Sequence, residues 1–174
     1  MRRRKLRDLL FLGLIVLLLI VLAYQAYRMM RPQSGHADAE QMLYEVSVFQ
    51  IQVLNTSLLD AAHMNNTGEL NALKLAAYSA AYTHERLVKS LGMNKLYSFP
   101  AIDGLIDLIT TWQIGGNRPL SDAEKELIGK YSELFSNVVL PYQQLLSENG
   151  KVIASQDDQL EKTGKQLADL VKGR

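Results

Sequence analysis

Cysteine is absent from this chain of 174 residues. Its absence excludes disulfides, thiolate metal sites and attachment of a lipid through a modified cysteine. Histidine occurs only at His36, His63 and His84, and His84-Glu85 lacks the second histidine that a zinc-binding H-E-x-x-H would place four residues on. There is no Gly-rich phosphate loop and no G-x-S-x-G. Sustained period-two alternation is also missing, which argues against strands.

What the chain does have is concentrated at its start. The basic cluster Arg2, Arg3, Arg4, Lys5 and Arg7 opens onto an unbroken apolar run from Leu9 to Ala23. A helix over residues 9–27 would reach ~28 Å at ~1.5 Å per residue, close to the hydrocarbon thickness of a bilayer. Tyr24, Tyr27, Arg28 and Arg31 then fall at the far interface, where amphipathic rings and long basic side chains are comfortable. Because the positive charge precedes the span, residues 1–8 are expected in the cytoplasm and the rest of the chain outside. A cleaved signal peptide ending near Val21-Leu22-Ala23 is the competing reading. The length of the run, and Tyr24, Gln25 and Tyr27 continuing it, favour an uncleaved single-pass anchor. Gly13 has no small partner four residues away, so nothing in the span predicts tight helix pairing.

The net charge of +1 hides an asymmetry. Seven of the 19 Lys and Arg, but only Asp8 of the 18 Asp and Glu, lie at or before Arg31, leaving 12 against 17, a balance of −5 for the remainder. An acidic ectodomain is a poor partner for nucleic acid, whose phosphates need a basic face. Proteins or neutral glycans fit better.

After the linker at 28–36, the periodicity is helical nearly throughout. A first helix is predicted from about Ala37 to Met64, with Met42, Val46, Phe49 and Val53 as its apolar stripe. Asn66 and Glu69 look like an N-cap and capping-box acid for a second. That helix carries Leu70, Leu73, Ala77, Ala80, His84, Leu87 and Leu91 on one stripe, and Ala76, Ala77, Ala80 and Ala81 would let a neighbour approach closely. Gly92 ends it. Ser98 and Pro100 start a third, with Ile102, Leu105, Ile109 and Trp112 buried, and Gly115-Gly116-Asn117 stops it. Ser121 and Glu124 form the clearest capping box, opening a fourth helix striped by Ile128, Tyr131, Phe135, Val138, Tyr142 and Leu145. Pro141 predicts a kink or break near Val139, and Asn149-Gly150 its end. Residues 151–174, with Ser155 and Asp158 at their start, are expected as a last helix or a loose tail, striped by Leu160, Leu167 and Val171. The fold class expected is all-α: one transmembrane helix, then an antiparallel bundle of four to five helices, with the bundle ectodomain at 37–150.

The residues able to carry chemistry read better as structure. His84 lies on an apolar stripe and predicts a core-edge imidazole bonded to a polar neighbour; His63 suits a helix C-terminus. Asp103 and Asp107, four apart beside a stripe, describe a solvated edge rather than a glycosidase pair, and Glu124/Glu126 fare no better. Trp112 belongs to the core. Gly104 and Gly129, inside helices, predict points of close helix contact. No catalytic, metal or cofactor-binding residue is assigned, no enzyme activity is expected, and no partner-binding residue is named.

The segment Arg118-Pro119-Leu120-Ser121-Asp122-Ala123-Glu124, leading to Leu127, Tyr131, Ser132 and Glu133, together with helices following an N-terminal anchor, resembles the N-terminal helical region of the YpeB family of spore germination proteins. The resemblance covers about Glu40 to Gln144. It does not extend to the C-terminal PepSY-type part of that family, which this sequence lacks. It implies a non-catalytic protein of the spore envelope that holds a cortex-lytic hydrolase and controls it. Two functions are therefore carried forward. One is a membrane-anchored extracytoplasmic interaction protein, with the lipid bilayer and an envelope protein as partners and homo-oligomerisation left open. The other is a sensory ectodomain that binds a small ligand and signals through a partner subunit, since residues 1–8 are too few to transmit a signal alone.

Overall fold

The computed structural model describes residues 16–18, 20–25, 35–92 and 94–172, and the chain divides into two units, 1–38 and 39–174. In the first, residues 16–18 and 20–25 are helical, with Leu17, Ile20, Leu22 and Tyr24 exposed. The basic segment 1–8, the remainder of the expected anchor at 9–27 and residues 28–34 of the linker lie outside the described residues. Among the described residues no helix is long and apolar enough to cross a membrane.

The remaining elements are five helices: α1 (Gly35–Ala61), α2 (Asn71–Leu91), α3 (Ala101–Gln113), α4 (Asp122–Gln143) and α5 (Ala154–Lys172), with a single 3-10 turn, Thr67–Leu70, leading into α2. The fold is all-α, and the described residues contain no strand, only two isolated bridge pairs. Gly35 and His36, expected in the linker, already belong to α1.

The core forms where one-sided helices close on each other. Leu73, Ala77, Ala80 and Leu87 of α2, Ile102, Leu105 and Ile109 of α3, and Ile128, Phe135 and Val138 of α4 are all buried. The alanines of α2 let α3 pack closely, and α5 packs against both α3 and α4. α5 is a docked helix: Leu160 and Leu167 are sequestered, and Gly164 lies under the Tyr97 ring, where an added Cβ would stand 2.5 Å from Cε1. Gly104 makes another close approach, to Val171. Gly129 does not. Nothing lies within 4 Å of where its Cβ would be, so the expected contact point is open surface.

The largest departure is α1. Met42, Val46 and Phe49 face solvent, and the helix instead buries Tyr44, Ser47, Ile51, Leu54 and Leu58. Two features hold that rotation. Tyr44 Oη donates to the Tyr142 and Gln143 carbonyls at 2.9 and 2.7 Å and accepts the Leu145 N–H at 3.2 Å, occupying the end of α4; Ser136 Oγ donates to Asn55 Oδ1 at 3.2 Å. Turning the Met42 stripe inward would abandon backbone carbonyls that need a donor at a helix end.

The helix ends follow their chemistry, with two corrections. Ser121 caps α4 through a reciprocal box with Glu124, and Arg118 holds the same carboxylate with two contacts at 2.9 and 2.6 Å. That guanidinium, outweighing partial burial, pulls the Glu124 pKa down to about 2. Pro141 does not break α4, which runs on to Gln143 and ends short of Asn149-Gly150. The proline forgoes only its own N–H bond to the preceding turn, and the helix closes two residues later, where the Gln144 N–H donates to the Leu140 and Pro141 carbonyls. Asn66 makes no cap to the following turn; its side-chain amide donates to Glu69, which also accepts the Asn65 N–H. Here the α1–α2 connection pairs with the α3–α4 loop, Thr67 N–H to Arg118 O at 2.9 Å and Leu120 N–H to Asn65 O at 2.7 Å, so the backbone groups that a free cap would serve are met across the bundle.

Candidate interaction surfaces

A closed core still leaves large apolar side chains outside, grouped on two helices, with Ile114 and Leu140 exposed singly elsewhere. On α1 these are Met42, Val46 and Phe49; on α2 they are Leu75, Tyr78 and Tyr82. The α2 residues are three and four apart and so share one outer face, opposite the stripe that enters the core. Arg86 stacks over the Tyr82 ring, its guanidinium carbon 4.8 Å from the centroid. Exposed tyrosine beside arginine is the composition of residues that dominate binding energy at protein interfaces. The signal for this face is present in the sequence as a second apolar spacing on the same helix. It is hidden there by the stronger alanine and leucine stripe.

Tyr78 and Tyr82 form one wall of a cleft of about 450 Å³, whose other wall is Ser98, Phe99, Pro100 and Asp103. Asp103 and Glu85 both line the cleft, a pair of carboxylates that suits a positive group; burial, then the Asp107 and Glu85 carboxylates, raises the Asp103 pKa. Phe99 in that wall has φ of +54°, the left-handed region that a bulky side chain rarely adopts. Such a conformation costs roughly 1–3 kcal/mol and persists only where packing over-determines it. Here Phe99 is sequestered against the rings of His84, Tyr97 and Phe135, with centroids 5.7–6.2 Å apart.

His84 is buried behind this loop, bonded at both ring nitrogens. Nε2 meets the Tyr97 carbonyl at 2.8 Å, which can only accept, so Nε2 carries the proton and Nδ1 accepts from Tyr142 Oη at 2.9 Å. Burial drives its pKa down to about 4, against the pull of the Tyr97 carbonyl in the other direction. A neutral imidazole with both nitrogens satisfied is a joint between α2, α4 and the Tyr97 loop. Asp157 at the start of α5 secures the same loop by accepting the Tyr97 N–H at 2.9 Å.

The other sequence candidates are scattered. His63 is exposed just beyond α1, and the His36 side chain lies outside what is described. Glu124 belongs to the α4 cap, and Trp112 packs in the core. Asp103 and Asp107 do share an edge, beside an apolar groove between α3 and the end of α5. Among the described residues no group of three or more His, Cys, Asp or Glu is placed to hold a metal ion.

No family model, no curated protein and no solved structure matches this chain.

Proposed function

We propose that this chain is a non-catalytic, membrane-anchored extracytoplasmic interaction protein that tethers or regulates a cell-envelope hydrolase. In this reading residues 9–27 span the membrane, residues 1–8 stay in the cytoplasm, and the helical bundle stands outside. The observation that carries the interaction role is the outer face of α2, where Leu75, Tyr78 and Tyr82 remain exposed although the core beneath them is closed. Mature soluble surfaces seldom keep such side chains together without a contact to make. The mechanism needs no bond chemistry. Confinement at the membrane raises the local concentration of the partner's docking site, and burial of the α2 face holds it. The resemblance to the YpeB family implies a spore-cortex hydrolase as the partner class and the spore envelope as the setting.

The test is crosslinking of the full-length protein in its own cells, growing and sporulating, with mass spectrometry of what is captured. We expect a wall hydrolase crosslinked through bundle lysines in the wild type, and loss of that species in a Tyr78→Ala, Tyr82→Ala variant of unchanged melting temperature. The same hydrolase captured equally by both would remove the α2 face from the mechanism. No envelope protein above background in either culture would overturn the tethering role. The cleft beside Tyr82 favours a second reading, a sensory ectodomain for a small cationic ligand, for which an amine-dependent rise in melting temperature is the expected sign.

A further inference from the structure

The apolar face of α1 differs from that of α2, with its tyrosines and Arg86, in being built of wholly apolar side chains. Met42, Val46 and Phe49 are 67%, 47% and 58% exposed, and Val53 continues their line half-buried. Their spacings of four, three and four are those of a coiled-coil seam. On the same helical register Tyr44, Ser47, Ile51, Leu54 and Leu58 lie on the far side, inside the bundle. α1 can therefore wall its own core and present a seam outward without compromise between the two.

We propose that this seam pairs, parallel and about a two-fold axis, with the same seam of a second copy of this chain in the plane of the membrane. The flanking positions permit it. Leu43, Gln50 and Gln52 are uncharged, and the one flanking charge, Glu45, accepts a hydrogen bond from Gln41 of its own helix at 3.1 Å. In a parallel pair Glu45 of one copy lies nearest Gln50 of the other, so no like charges meet. An unlike partner would have to supply a matching heptad; a second copy carries one already.

Size decides where such a pair is stable. Three side chains present on the order of 300 Å² per copy, well below the ~800 Å² per partner of a standard stable interface. The seam is too small to hold two free bundles together. It suffices when tethering brings the effective concentration to roughly millimolar. That step rests on reading residues 9–27 as the anchor, which also gives every copy the same orientation and so selects the parallel pair.

The absence of cysteine makes the test direct. Met42→Cys, Val46→Cys, Phe49→Cys and Glu133→Cys are made singly in the full-length chain, expressed in cells, and oxidised in isolated membranes with copper phenanthroline. We expect a disulfide-linked dimer from each of the three seam positions and none from Glu133→Cys on the exposed side of α4. Val46→Glu added to Phe49→Cys is expected to reduce the dimer at least tenfold with the melting temperature unchanged. Crosslinking that appears only when Met42→Cys and Val53→Cys chains are co-expressed would show an antiparallel pair and overturn the proposal. Membrane-bound protein with no dimer at any seam position overturns self-pairing and leaves the anchor standing. Protein found in the soluble fraction removes the anchor, and pairing in the membrane plane with it.

Discussion

Helices α1 and α4 lie against each other, joined where Tyr44 holds the last carbonyls of α4, yet they spend their apolar residues differently. α4 commits one stripe, Ile128, Tyr131, Phe135, Val138 and Tyr142, wholly to the core. α1 divides its apolar residues between an inner face of Ile51, Leu54 and Leu58 and an outer face of Met42, Val46 and Phe49. A helix apolar on one stripe is finished once its bundle closes; one apolar on two faces is finished only when something covers the second. α2 repeats the arrangement with tyrosines, so the grouped exposed apolar side chains lie on the first two helices of the bundle, whereas Ile114 and Leu140 stand exposed singly.

The sharpest way to probe that contrast is to remove the same side chain from each helix. Phe135→Ala, at a position with no exposure, is expected to destabilise by about 3–5 kcal/mol through lost burial and the cavity left behind. Phe49→Ala is expected to stay within about 0.5 kcal/mol. Urea unfolding of both checks this, and a large loss at Phe49 would mean that its face is already covered within one chain.

Acid tests the joint between α2 and α4. His84 has a folded pKa of about 4 against 6.5 when free, so the unfolded chain binds the extra proton first. The stability it contributes is complete above pH 6.5 and is lost as the pH falls from 6.5 towards 4, by about 3 kcal/mol in all. Glu124, held down to about 2 chiefly by Arg118, acts in a lower window: its contribution is present above 4.5 and lost between 4.5 and 2. Unfolding midpoints measured from pH 7 to 3 should decline in the upper window for the wild type, and that part of the slope should vanish in His84→Phe. A wild type flat between pH 6.5 and 4.5 would contradict the buried neutral imidazole.

The smallest pair of effects compares two glycines. Gly164→Ala drives a Cβ into the Tyr97 ring and is expected to destabilise by roughly 1–3 kcal/mol. Gly129→Ala enters open space in mid-helix and is expected to stabilise by up to about 1 kcal/mol. Equal changes in melting temperature would show that α5 is not seated on the Tyr97 loop.

Much of this could be read from the residues alone. The stripes of α2, α3 and α4, the Ser121–Glu124 box, the glycine stops at Gly92 and Gly115, and His84 as a core imidazole all follow from local rules, because each has one favourable answer within its own segment. The all-α class follows for the same reason. Three matters were decided only by tertiary structure. Which face of α1 turns inward depends on Tyr44 meeting carbonyls 98 and 99 residues away, and two apolar spacings on one helix are equally good until that partner is in place. Gly104 and Gly129 look alike as interruptions of a helix, and only the presence of Val171 beside one separates them. The left-handed Phe99 has no local cause: its backbone is held there by the rings that surround it, and it lines the cleft beside Tyr82.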